Sequence, residues 1–145
     1  MPSALVHSLV LSCLLYQAAS GQSVLRVPED HPTIQAAMDA ASPGDTIDLA
    51  PGTWTGQHVW GLSEVTLRGR AGAANTIIDG TGYDWSPVVC FGQCTIEDIT
   101  FINGVGSNVF GIVRGGAIYV EFAHVVIRRC QFFDNSVSLG AQDSN

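Results

Sequence analysis

The sequence predicts an all-β chain built as a solenoid, with short strands stacked level on level beneath one short N-terminal helix. Three observations carry that expectation. Beyond Ala41 the chain breaks into alternating or apolar runs of three to six residues, separated by Gly, Asn, Asp and Pro. No helix-length segment remains there to cross over between parallel strands of an ordinary α/β sheet. An antiparallel sandwich or a solenoid is left, and an internal repeat at an offset of 31 residues selects the solenoid.

The first 21 residues stand apart. Ala4 to Tyr16 is largely apolar but too short for the roughly 20 residues that span a bilayer. Ala18-Ala19-Ser20-Gly21 follows, with small residues at −3 and −1 for a cut after Ser20 or Gly21. That is the layout of a cleaved secretory leader, so residues 1–21 are expected to be removed and 22–145 to fold. The leader departs from the usual pattern in having no Lys or Arg. An uncleaved anchor and a buried helix are the alternatives. Nothing after it is long and apolar enough to span a membrane.

The first folded element reads as a helix from Ile34 to about Ala41, capped by Thr33. Ile34, Ala37, Met38 and Ala41 form one apolar stripe at i, i+3, i+4 and i+7. Ser42-Pro43-Gly44-Asp45 ends it in a turn. Strands are then expected at Thr46–Leu49, Val65–Arg68, Thr76–Ile78, Val88–Cys90, Ile99–Phe101, Ala117–Val120 and His124–Ile127.

The repeat is clearest when Cys94–Asn103 is set over Val125–Asp134. Ile96 then meets Ile127, Ile99 meets Cys130, Phe101 meets Phe132 and Asn103 meets Asp134. Weaker counterparts begin at Thr46 and Val65, which makes about four coils of unequal length. Stacked strands lie about 4.8 Å apart, so Glu97 is expected beside Arg128 and Asp98 beside Arg129. Opposite charges on neighbouring strands are what this register would select.

Val27-Pro28-Glu29-Asp30-His31-Pro32-Thr33-Ile34, on through Pro43-Gly44-Asp45-Thr46 to Ala50-Pro51-Gly52-Thr53-Trp54, resembles the opening of pectin-lyase-like proteins. Val65-Thr66-Leu67-Arg68-Gly69 and Asn75-Thr76-Ile77-Ile78-Asp79-Gly80 continue the likeness, which covers about residues 24–140. The resemblance implies a right-handed parallel β-helix with a short N-terminal capping α-helix. Many unrelated functions share that scaffold. Gly115-Gly116-Ala117-Ile118 with Phe132-Phe133-Asp134-Asn135 is also similar to the repeats of polymorphic outer-membrane proteins, which are surface adhesins.

In the enzymes of this resemblance the active cleft lies on the middle coils, which would begin where this chain stops. Ser138–Asn145 carries no capping helix or charged edge strand, so truncation is expected, with the open last coil stacking on further coils or on another chain. Lyases of the fold use calcium, whose six to eight oxygens would have to converge from adjacent coils. Asp79, Asp84, Glu97, Asp98 and Asp134 are scattered instead. Calcium therefore enters only with the enzyme alternative; otherwise no cofactor and no metal site are expected. Asp79 reads as a turn residue. Glycosidases need paired carboxylates, but Glu97 and Asp98 point apart along a strand and face arginines that hold them ionised. Asp98 with Arg129 faintly echoes the methylesterases of the fold, and a structural ion pair is the plainer reading. His31, His58 and His124 have no Ser or Cys partner at a motif spacing, so no catalytic residue is assigned.

Trp54, Trp60, Tyr83 and Trp85 lie near loops and are the candidates for stacking on sugar rings; packing over the corners is the alternative. Loss of the leader removes Cys13 and leaves Cys90, Cys94 and Cys130. Cys90 and Cys94 flank Phe91-Gly92-Gln93 and are the candidate disulfide, while Cys130 falls in an interior slot.

Six Arg, no Lys and thirteen acidic residues give a formal charge of −7. That sign disfavours nucleic acid and anionic membranes and suits neutral, hydroxyl-rich or cationic partners. The expected function is a non-catalytic glycan-binding or adhesive scaffold, secreted or on the outer cell surface, with extracellular polysaccharide or a host or cell-surface glycan as partner. The alternative is the N-terminal portion of a polysaccharide lyase, glycoside hydrolase or carbohydrate esterase whose active site lies mostly beyond residue 145.

Overall fold

The computed structural model describes residues 21–109 and 112–137. The leader up to Ser20 and the Ser138–Asn145 tail, with the expectations attached to them, lie outside the described residues. The described residues are all-β apart from one short helix. In order, the elements are β1 (Val24–Val27), α1 (Ile34–Ala40), β2 (Thr46–Leu49), β3 (Gly52–Thr55), β4 (Val59–Leu62), β5 (Thr66–Gly69), β6 (Thr76–Asp79) and β7 (Val88–Cys90). They continue as β8 (Cys94–Glu97), β9 (Thr100–Ile102), β10 (Ser107–Val109), β11 (Ile112–Arg114), β12 (Ile118–Val120), β13 (Val125–Arg128) and β14 (Gln131–Phe133).

The strands gather into three parallel sheets, ordered β1-β2-β5-β8-β13, β3-β6-β9-β14 and β4-β7-β12. From β2 to β9 successive strands of the chain enter successive sheets, which is the connectivity of a solenoid. An antiparallel hairpin, β10–β11, interrupts the pattern between β9 and β12. It had no counterpart in the repeat and was not expected.

Register turns sequence pattern into core. Leu25, Ile47, Leu67 and Ile96 stack in one inward row of the first sheet. Ile47, Leu67 and Ile96 are fully buried, each contributing about 1.5–3 kcal/mol relative to exposure. Trp54, Ile78, Phe101 and Phe132 make the corresponding row of the second sheet. Cys94 pairs with Val125, Ile96 with Ile127 and Phe101 with Phe132, as the 31-residue repeat requires. The corners repeat as well. Asp98 and Arg129 both take left-handed φ, 61° and 51°, as do Asn103 and Asp134, 57° and 53°.

On the outer face of the first sheet, Arg26, Asp48, Arg68, Glu97 and Arg128 occupy one in-register row of alternating charge. Asp48 receives Arg68 Nε at 2.8 Å and Arg70 Nε at 2.7 Å. Arg128 lies 3.2 Å from Glu97 and Arg129 2.7 Å from Asp98, the two pairings the repeat predicted. Close stacking also dictates Gly69: a Cβ there would fall 2.1 Å from the Asp98 carbonyl oxygen.

α1 closes the first end. Thr33 caps it by accepting from the Ala36 N–H at 3.1 Å. Ile34 and Ala37 are buried against the core. The Asp45 carboxylate then holds the turn after the helix, accepting from Ser42 N–H and Ser23 N–H at 2.8 Å each. Those two bonds hold its pKa below the usual carboxylate range.

Candidate functional site

The site begins with an irregular strand. In β4, Val59 and Leu62 are both fully buried while Trp60 between them is 45% exposed. A strict two-residue alternation cannot place Val59 and Leu62 on the same face. The register against β7 slips between Trp60 and Leu62, and Gly61 takes the left-handed φ of 87° that the slip demands. The bulge turns Leu62 back inside and leaves the Trp60 indole outside.

Neighbouring elements bring further rings to Trp60. The loop after β6 carries Tyr83 and Trp85, and Tyr83 Oη anchors it by donating to the Gly56 carbonyl at 2.8 Å. His58 lies among them, its ring centroid 6.1 Å from Tyr83 in a stacked pair, 6.0 Å from Trp60 and 6.5 Å from Trp85. Trp60 meets Trp85 edge-on at 6.0 Å and Phe91, just past β7, at 5.1 Å. Such pairings favour a fixed ring constellation.

His58, Trp60, Tyr83 and Trp85 line a cleft of about 320 Å³. Its walls are almost wholly aromatic. His58 Nε2 is shielded from solvent and has no hydrogen-bond partner. Burial pushes the imidazole below its usual pKa, favouring the neutral ring. The exposed indoles can take the C–H face of a ring.

Sequence reasoning found three of these residues and missed two. Trp60, Tyr83 and Trp85 converge as candidates should. Trp54 does not: it stands on β3 in the second sheet, partly buried on the core, its Nε1–H donating to the Ala50 carbonyl at 3.1 Å. His58 looked like a lone loop histidine, and Phe91 was masked by the cysteines flanking it. The signal that finds them is the pairing of β4 with β7, which brings both beside Trp60.

No family model, curated protein or solved structure matches this chain. The site must therefore be read from its own geometry.

A larger open groove, about 680 Å³, runs past Glu64, Gln93, His124, Thr66 and Thr95 on the outer side of the first sheet. Its lining is mixed and it gathers no rings, so size alone does not make it the better site. Among the described residues, no group of three or more His, Cys, Asp or Glu converges where a metal ion could sit. Asp79 accepts from Thr81 N–H, Thr81 Oγ1 and Asn103 Nδ2, bonds that turn the chain and hold it ionised. Asp98 is likewise held low, chiefly by its hydrogen bonds from Arg129. A carboxyl kept ionised in this way is unsuited to donate a proton. Cys90 and Cys94 are both buried as free thiols. No helix among the described residues is long and apolar enough to cross a membrane.

Proposed function

We propose that this chain is a secreted or cell-surface right-handed parallel β-helix of about four coils that binds glycans without cleaving them. Residues 1–21 are the removed leader, and the chain that follows folds as the binding domain. The observation that carries the reading is the aromatic cleft of His58, Trp60, Tyr83 and Trp85, with Phe91 packed against Trp60 and with Trp60 and Trp85 45% and 39% exposed. Large aromatic surface left in water is costly unless something covers it. Sugar rings present flat C–H faces, which match the exposed indole faces of Trp60 and Trp85. The net charge of −7 favours neutral over polyanionic chains.

A panel of neutral and acidic polysaccharides, scored for both binding and cleavage, tests the proposal. Saturable binding of neutral glycans without new chain ends supports it. Cleavage by these 145 residues, or no saturable binding to any member, overturns it.

A further inference from the structure

We propose that Cys90 and Cys94 close an intrachain disulfide that staples the corner behind the aromatic cleft. Cys90 ends β7 and Cys94 opens β8, with Phe91-Gly92-Gln93 making the corner between them. Both side chains are buried in the hydrophobic core, at 0% and 7% exposure. The thiols are hydrogen-bonded to one another. Cys90 stands in register with Leu62 below and Val120 above. Cys94 stands in register with Val125 above, and Val65 lies one level below it, before Thr66, the partner of Thr95. Where the level below brings together Leu62 and Val65, both buried, this level brings together two sulfurs.

The corner leaves no slack. A Cβ on Gly92 would fall 2.0 Å from Ser63 Oγ, so this turn sits hard on the one beneath. Cys130 is engaged elsewhere, its Sγ 3.3 Å from the Arg128 carbonyl and 3.6 Å from that of Ile96. Phe91, between the two cysteines, packs at 5.1 Å against Trp60. Covalent closure therefore fixes the ring that packs against Trp60.

The chemistry is thiol–disulfide exchange with an external disulfide such as oxidised glutathione. The Cys94 thiolate attacks it and releases one glutathione thiolate. The Cys90 thiolate then attacks Sγ of Cys94 in the mixed disulfide and releases the second. Two protons and two electrons leave the cysteine pair, and one glutathione disulfide becomes two thiols. Either cysteine can make the first attack in the open chain, and the exchange balances the same way in either order. Burial places the reaction in the folding chain, before the corner closes.

The oxidising location rests on the export proposed above, so the test supplies the oxidant directly. The full chain is refolded in a glutathione redox buffer, alkylated without reduction and digested with trypsin. Cutting at Arg70 and Arg114 puts Cys90 and Cys94 on one peptide, residues 71–114, and cutting at Arg129 puts Cys130 on another. The expected peptide 71–114 is unalkylated and lighter by two hydrogens than its reduced form, while Cys130 is alkylated. Alkylation of both Cys90 and Cys94, or a cross-link to Cys130, overturns the assignment. The oxidised protein should also melt about 5–10 °C above protein kept reduced throughout; equal melting temperatures contradict the staple. Both readouts are independent of glycan binding.

Discussion

The carboxamide of Gln35 spans the backbone of Trp60, its Oε1 accepting from the Trp60 N–H at 2.8 Å and its Nε2 donating to the Trp60 carbonyl at 3.3 Å. β4 is the first strand of its sheet, ordered β12-β7-β4, so its outer edge has no strand partner among the described residues. The helix supplies a side-chain amide in place of a backbone one. The helical lid thus covers the core and also fixes the strand that presents the central indole. Gln35→Ala should cost about 1 kcal/mol and leave Trp60 more accessible to acrylamide quenching. Unchanged quenching would show that the clamp does not position the ring.

The charge row makes a second prediction. The Asp48 side chain is only 5% exposed and receives both Arg68 and Arg70. Asp48→Asn keeps the shape and removes the charge, leaving two guanidinium groups facing a neutral amide. Urea unfolding should show a loss of about 2 kcal/mol. Arg128→Ala, at a pair whose arginine is more than half exposed, should fall below 1 kcal/mol.

Gly69 tests the stacking itself. Its Cβ would collide with the Asp98 carbonyl at 2.1 Å and with Thr76 Cβ at 2.8 Å. Gly69→Ala should therefore destabilise by about 3 kcal/mol or prevent folding, through forced separation of neighbouring levels. Thermal unfolding by circular dichroism reads this directly. An unchanged melting temperature would contradict the close packing of β5 on β8.

His58 sets an acid limit. Its folded-state pKa lies below the ordinary 6.5, with burial as the cause, so the native state binds fewer protons than the unfolded chain. The stability it contributes is full above pH 6.5 and is lost as pH falls through the lowered folded value. Asp45, Asp79 and Asp98, also lowered, begin to lose theirs only near their ordinary 3.8. Stability against pH should decline in two stages, and His58→Gln should remove the upper one. An upper stage that survives in the variant would assign it to another group.

Much of the fold was legible because stacked levels repeat the same side chain. Phe101 and Phe132 lie face to face, centroids 5.3 Å apart and 10° from parallel, as aligned sequence segments implied. The helix and its Thr33 cap were legible from spacing alone. β1, β3 and β4 were not. Gly52-Thr53-Trp54-Thr55 begins on glycine after a proline, and Val59-Trp60-Gly61-Leu62 breaks alternation at its bulge. The level spacing also changes: Asp48 and Arg68 are 20 residues apart and Asp98 and Arg129 are 31, so no single period reveals every strand. Three aromatic residues of the cleft were found by type. His58 and Phe91 came only with the tertiary pairing, and Trp54 left the group because its strand belongs to another sheet.

The binding site rests on which indoles face the cleft, and the three tryptophans separate the outcomes. Titrating neutral hexose oligosaccharides while following tryptophan fluorescence should give saturable binding in the parent chain and in Trp54→Phe. Trp60→Ala and Trp85→Ala should each weaken it by about tenfold. Equal affinity in all four proteins, or a loss confined to Trp54→Phe, would contradict the aromatic cleft as the glycan site.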